Sequence, residues 1–294
     1  MFHDIWTIRS GRLAVIIIGA AILLVAVGPF LAPYDPLQGS QLNLAGPSPQ
    51  HPLGTDYLGR DTLSRLLAGA PLSILSAFEV AAIGLVVGAV PGVLSVYSAR
   101  FFEWITLRLV DTLIALPFLV FAVAVTALLG NAVTQAMLVV GVLTAPAFYR
   151  VARASTLAVA NSQYVEAARI SGADVSWIVR KHVVKKVLPP LAVVLASTLG
   201  IGLITVAALS FLGIGVQPPA PTWGGMLAAD LGYLTFRPFA PLIPSIPIIV
   251  IVWAFNILAD VSRDVSGESG RRLLARSRNQ RSGTQPPSAT REGV

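Results

Sequence analysis

The apolar residues of this chain lie in long, nearly unbroken runs, without the period of 2 of a half-buried strand or the 3.6 of a surface helix. A helix needs roughly 20 apolar residues to cross about 30 Å of hydrocarbon. Six runs meet that length: Leu13–Ala32, Leu72–Tyr97, Ile105–Leu129, Val133–Val151, Leu191–Leu212 and Pro241–Ala259. The pattern predicts an all-α polytopic membrane protein with six transmembrane helices. Arg9 and Arg12 precede the first run as in a secretory signal, but that run exceeds the roughly 7–15 apolar residues of a signal and no Ala-x-Ala site follows. A retained first helix is expected. The polar connections are uneven: one is tiny, at Gly130–Ala132, and three are long, at 33–71, 152–190 and 213–240. Residues 1–12 read as an N-terminal segment, 13–71 as the first span and its loop, 72–264 as a five-helix core, and 265–294 as a tail.

Composition agrees with a lipid-facing surface. Of 294 residues 55% are hydrophobic and 12% charged, with a mean hydropathy of +0.75, whereas a soluble domain carries about 25% charged residues. There is no cysteine, which excludes disulfides and thiolate chemistry. His3, His51 and His182 show no metal-ligand spacing, so no metal site is expected. The net charge of +7 is informative through its distribution. With the N-terminus inside, 18 of the 21 Lys and Arg residues fall in inside segments, seven of them between Arg150 and Lys186. The positive-inside rule then places both termini in the cytoplasm. The tail from Ser266 to Val294 is rich in Ser, Gly, Pro and Arg and lacks aromatics. It is expected to be disordered and to attract anionic lipid, with no stacking residues to favour nucleic acid.

The long inside loop has internal order. Tyr164–Ser171 reads as a short helix, Gly172 suits the left-handed position that ends one, and Asp174 suits the N-cap of a second helix starting near Val175. Val175, Ile178, Val179 and Val183 form an apolar stripe at helical spacing, with Arg180, Lys181, Lys185 and Lys186 around it. Pro189–Pro190 is expected to separate this second helix from the fifth span. The product is a rigid elbow whose small residues permit close approach of a partner.

Glu166-Ala167-Ala168, followed after three residues by Gly172, resembles the EAA loop of bacterial ABC importer permeases. The resemblance implies the type I transmembrane fold of that family. It also makes Glu166, Ala167, Ala168, Gly172, Ala173 and Asp174 the coupling residues that seat in a groove of an ATP-binding subunit. Relatives often carry Leu-Pro-Asn where this chain has Val184-Lys185-Lys186, so the second helix is expected to run up to a turn longer here.

The outside loops narrow the likeness. His51–Arg65 is similar to the periplasmic signature of the dipeptide, oligopeptide and nickel permeases, as are Leu209–Pro219 with Pro221–Gly224, and Asp111–Pro117. Ala254–Asp264 is a looser match, with Ala259-Asp260-Val261 where relatives often have Gly-Asp-Gly. The chain most resembles the second permease subunit, the C type. By itself, 51–65 reads as an ordered polar turn with internal salt bridges of about 0–1 kcal/mol each. The resemblance makes Gly54, Thr55, Asp56, Gly59, Arg60 and Asp61 part of the face that receives an extracytoplasmic substrate-binding protein.

Charges near the spans are functional candidates. Glu79 is expected near the outer interface, Asp111 in an i,i+3 pair with Arg108, and Asp260 close to Arg263 at the inner end of the sixth span. Pro91, Pro117 and Pro146 are expected to interrupt spans two to four, and Gly200 and Gly202 to permit close packing of span five. No Gly-x-x-x-x-Gly-Lys-Ser/Thr, Gly-x-Ser-x-Gly or His-Glu-x-x-His motif occurs. The expectation is a non-enzymatic permease subunit that imports peptides and binds no cofactor, ATP and Mg belonging to its partners. By resemblance those partners are a homologous permease, two ATP-binding subunits and an extracytoplasmic binding protein. Nickel chelates or another small solute fit the same scaffold. An ion-coupled carrier calls for an inverted repeat, which the sequence does not display. A membrane enzyme calls for a nucleophile with its base at membrane depth, also not found. No substrate-contact residue stands out.

Overall fold

The computed structural model describes residues 2–130 and 132–266, and among these residues there is no β-strand. The helices are α1 (Phe2–Thr7), α2 (Arg9–Val27), α3 (Thr62–Tyr97), α4 (Arg100–Ala115), α5 (Phe118–Leu129), α6 (Val133–Ala160), α7 (Gln163–Ile170), α8 (Val175–Ile178), α9 (Val184–Phe211), α10 (Trp223–Leu231) and α11 (Leu242–Ser266). Five helical segments are long and apolar enough to cross a membrane; the α4–α5 pair makes a sixth if its 100° bend is counted within one span. The expected third span is therefore not straight. Pro117 has no N–H to donate, and the residue before it, Leu116, is extended (ψ 139°), so the helical ladder stops there.

The other prolines behave differently from the sequence expectation. Pro91 and Pro146 lie inside unbroken helices. Pro189–Pro190 does not separate the elbow from the fifth span: α8 passes through a π-helical turn, Val179–Val183, directly into α9. Pro189 and Pro190 offer no N–H to the carbonyls of Lys185 and Lys186, and both lysines are exposed, so solvent can reach those groups. α3 also begins ten residues before the expected Leu72, because Asp61 caps it by accepting a 2.7 Å hydrogen bond from the Ser64 amide.

α3 stands at the centre of the bundle. Gly84, Gly88 and Gly92 face Thr144, Ala145 and Tyr149 of α6, and Gly202 of α9 lies over Ala77. These small residues let the helix axes approach closely. Ala70, Ile74, Ala77 and Ala81 of α3 build one buried cluster with Leu199 and Leu203 of α9, Trp223 of α10 and Phe255 of α11. At one end of the bundle, here the loop end, residues 33–61 pack with the segment 221–237. At the other, the elbow end, α7 and α8 sit beside Tyr97 and Val159.

The charges near the spans are placed more sharply than by spacing alone. Glu79, expected near the outer interface, lies instead midway along α3, half-buried and seventeen residues after Thr62, because the helix starts ten residues before Leu72. Asp111 pairs with Arg150 across to α6 at 3.3 Å and not with Arg108, whose guanidinium sits 5.9 Å from the Trp104 ring. Arg263 reaches Asp260 at 3.4 Å, both well exposed. Beyond Ser266 the basic tail lies outside the described residues.

Candidate functional site

At the loop end the structure draws Gly54, Thr55, Asp56, Gly59, Arg60 and Asp61 together, but turns their side chains inward. Asp56 accepts from the amides of Leu58 and Arg60 at 2.9 Å and from Arg60 Nε at 2.7 Å, with Arg65 Nε 3.5 Å away. Both partners of the first pair are less than a tenth exposed, so this is a buried ion pair and not the surface bridge that the sequence suggested. Asp61 accepts from Ser64 and lies 2.8 Å from His51 Nδ1. The Thr55 hydroxyl donates to Leu42 O and accepts from the Ala45 amide at 3.0 Å. Gly54 and Gly59 take φ of +74° and +73°, which supply the sharp reversals that close the loop. What the loop turns outward is mixed: Leu37, Leu42 and Leu58 are each about half exposed, and Asp35, Gln38, Gln41 and Asn43 are exposed among them.

The 213–240 connection dips back toward the bundle. Trp223, at the start of α10, is fully buried; its amide donates to Ser73 Oγ at 3.1 Å and its indole N–H to Leu66 O at 3.0 Å, both on α3. Gly224 presses so closely on Ala207 of α9 that a Cβ would collide with that backbone. Arg237 donates to Thr55 O and Leu53 O at 2.5 and 2.8 Å, and Tyr57 stacks on Tyr233 at 5.2 Å. Asp230, near the end of α10, lines a small cavity with Asp56, Arg60, Thr62, Arg65 and Met226. Burial raises its carboxyl to about 6; Asp56 adds to the rise, and Arg237 and Arg65 oppose it. Trp223 stood in the sequence only as part of the Pro221–Gly224 likeness, with no role assigned, and Asp230 had not been singled out. One signal was available: Asp230 and Arg237 are the only charged residues between Gly213 and Ala240.

At the elbow end the arrangement is reversed. Gly172 takes φ +85° with open space around it, and the Gly172 and Ala173 amides close the turn onto Arg169 O and Ala168 O. Asp174 begins α8 without capping it through its side chain; its carboxylate accepts from the Ser176 hydroxyl, which holds it below the usual carboxylate range. Glu166, Ala167, Gly172 and Asp174 are exposed, and Ala168 and Ala173 half-buried. Ile170 is 82% exposed, an unusual position for a large aliphatic residue outside a lipid-facing surface. Beneath this surface Val165, Ile178 and Val183 are fully buried with Phe148 and Val187. Of the predicted stripe, only Val175 fails to reach the core, because the turn at Gly172 carries it out to 47% exposure. Tyr164 and Trp177 flank the His182 ring at 5.4 Å each, bracing α7 against the π-helical turn. The elbow is thus anchored below and bare above.

Comparison with known proteins gives one consistent answer. Residues 82–269 match the family of binding-protein-dependent transport system inner membrane components. The glutathione transport system permease protein GsiD of Pectobacterium atrosepticum is 35% identical over 249 residues, covering 83% of this chain and 82% of that protein. GsiD of Escherichia coli strain UTI89 is 34% identical over 270 residues, covering 90% and 89%. A chain of the MetNI methionine ABC transporter, solved in inward-facing conformations, superposes with a TM-score of 0.56 at 21% identity, over 68% of this chain and 96% of that one. At that identity the likeness is one of fold.

Proposed function

This chain belongs to the binding-protein-dependent transport system inner membrane components, the permease subunits of ABC importers, and on that premise we propose that it imports small peptides, driven by separate ATPases seated on the Gly172 elbow. The observation that carries the reading is the bare elbow on a buried footing. Ala167, Ile170 and Gly172 offer a small, partly apolar surface, and Val165, Ile178 and Val183 fix it to the bundle. A loop built only to connect two spans has no reason to expose Ile170 while burying its own underside.

The lever is continuous. α8 runs through the π-helical turn into α9, and α9 meets α10 at the Ala207–Gly224 contact. Closure of two ATPases on ATP would push the elbow, tilt α9, and shift α10 at the loop end. The chain itself offers no phosphate-binding loop, so ATP and Mg would stay in the partners. The excess of Lys and Arg around the elbow favours a cytoplasmic location for that end and for both termini, with the loop end facing outward. A homologous permease would complete the pathway, and an extracytoplasmic binding protein would deliver the cargo to the loop end. Leu37, Leu42 and Leu58, with the exposed Gln38, Gln41 and Asn43, are the surface offered there. The names of the GsiD relatives make glutathione the first peptide to test.

Two measurements test this reading. Two ATP-binding subunits copurify with the tagged chain, and Gly172→Val removes uptake of labelled glutathione or dipeptide while leaving membrane insertion unchanged. Normal uptake by that variant, or uptake with no ATPase subunit present, overturns the coupling role. Uptake of another solute in preference to peptides overturns only the cargo.

A further inference from the structure

We propose that Asp230 and Thr62 form a proton-binding latch at the loop end, holding α10 on α3 when Asp230 is neutral and releasing it when Asp230 ionises. The site stands on geometry first. Asp230 Oδ2 and Thr62 Oγ1 are both buried with no protein hydrogen-bond partner among the described residues, and both residues line one small cavity at the junction of α10 and α3. Two buried, unpartnered polar atoms on residues lining one small cavity mark a place where a single bridging water connects them.

The neighbouring charges determine which state holds. On the loop, Asp56 is taken up by Arg60 and by the amides of Leu58 and Arg60. On α3, Arg65 donates to Pro36 O and leans on Asp56. After α10, Arg237 is committed to Thr55 O and Leu53 O, and Tyr233 to its stack with Tyr57. α9 and α11 also pack on α10, but their charged residues lie at the elbow end: Lys185 and Lys186, and Asp260, Arg263 and Asp264. The Thr62 hydroxyl can donate or accept, so it serves either state through a bridging water. What separates the states is that no guanidinium or amide is hydrogen-bonded to the buried Oδ2, where an ionised oxygen is costly. Neutral, Asp230 donates its proton to the water that Thr62 Oγ1 also holds. Ionised, it regains solvation by moving the last turn of α10 outward, and the proton leaves to solvent.

The sign follows from the direction of the shift. The carboxyl is raised from its ordinary value to about 6 by burial, so the closed latch binds the proton more tightly than the open one. Closure is complete in acid and lost as pH rises through about 6. The latch would thus admit movement of α10 at neutral pH and restrain it in an acidic exterior.

The chain has no cysteine of its own, so single cysteines report cleanly. Met226 lines the cavity and is 5% exposed; Leu58 lies on the loop surface and is 48% exposed. In the assembled transporter in right-side-out vesicles, Met226→Cys and Leu58→Cys are reacted with an impermeant thiol reagent at external pH 5 to 7.5. The ratio of their rates cancels the titration of the thiol itself. The ratio is expected to rise about tenfold across this range, the change in ionised fraction of a group titrating near 6. Asp230→Asn should keep it low and flat, and Thr62→Val should raise it at pH 5. A flat ratio with Asp230 in place, or an unchanged rise with Asp230→Asn, overturns the latch. The experiment rests on the proposed orientation only for the side sampled. If Leu58→Cys reacts only in inverted vesicles, that orientation fails, and the same ratio measured there still tests the latch.

Discussion

The loop at residues 33–61 and the elbow at 163–183 both carry dense, specific sequence signatures, yet they use them in opposite ways. In the loop the charged residues of the signature are consumed internally: Asp56, Arg60 and Asp61 are buried, and each has its partners within the loop or on α3. In the elbow the signature faces out. Glu166, Ala167 and Gly172 touch little, and the contacts that hold the unit come from Val165, Ile178 and Val183 beneath them. A signature that folds its own segment and one that waits for a partner are indistinguishable as strings of residues. Burial separates them.

The comparison breaks first, and hardest, at Asp56. If the loop is held by its own buried charges, Asp56→Ala strands Arg60 and Arg65 without their anion and is expected to cost about 3–5 kcal/mol. Thermal unfolding of the detergent-solubilised complex measures it. A midpoint equal to that of the parent would mean that the pair is solvated and the loop no more self-sufficient than the elbow.

At Gly172 the expected effect on stability is smaller and the effect on transport large. A non-glycine residue in the left-handed region costs roughly 1–2 kcal/mol, and nothing lies near enough to clash, so conformation alone should rank the variants. Uptake is expected to fall from Gly to Asn to Val, because Asn tolerates the left-handed region better than a β-branched residue. Equal uptake by the Asn and Val variants would place the effect in docking bulk and not in the turn. Next comes Ile170. Since it is exposed, Ile170→Ser should leave the unfolding midpoint unchanged while weakening ATPase copurification about tenfold, the loss of one good apolar contact of about 1–2 kcal/mol. A shifted midpoint with intact copurification would make Ile170 part of the bundle instead.

Much of this was legible before any coordinates. Length and apolarity located the five helices long enough to span, though not the 100° bend in the α4–α5 run. The Gly172–Asp174 spacing gave the turn between α7 and α8, because a glycine after a helix has a strong local reason to be left-handed. What the sequence hid was tertiary. Pro117 breaks a helix and Pro91 does not, although both are prolines in apolar runs: Leu116 is extended before the first, whereas α3 runs unbroken through the second. The pairing of Asp56 within 51–65 was legible, but its burial was not, because α3 and the segment around Arg237 close over the loop only in the folded chain. Asp230 was missed for a similar reason. Alone in an apolar connection it reads as a surface charge, and only the packing of α10 against α3 buries it.

The smallest expected effects lie with the two well-exposed ion pairs outside the loop. Asp111–Arg150 and Asp260–Arg263 have side chains 57–70% exposed and separations of 3.3–3.4 Å. Exposed pairs of this kind contribute about 0–1 kcal/mol. In double-mutant cycles Asp111→Asn with Arg150→Gln, and Asp260→Asn with Arg263→Gln, should show coupling no greater than about 1 kcal/mol, whereas Asp56→Ala with Arg60→Ala should show several times that. The cycle at Asp111 also decides a point of packing. Coupling of Asp111 to Arg150 but not to Arg108 is expected, because Arg108 is turned over the Trp104 ring. Strong coupling at Asp111 would mean that a partner subunit or the bilayer desolvates this face on assembly. In that event the contrast between the two ends would hold for the isolated chain and vanish in the complete transporter.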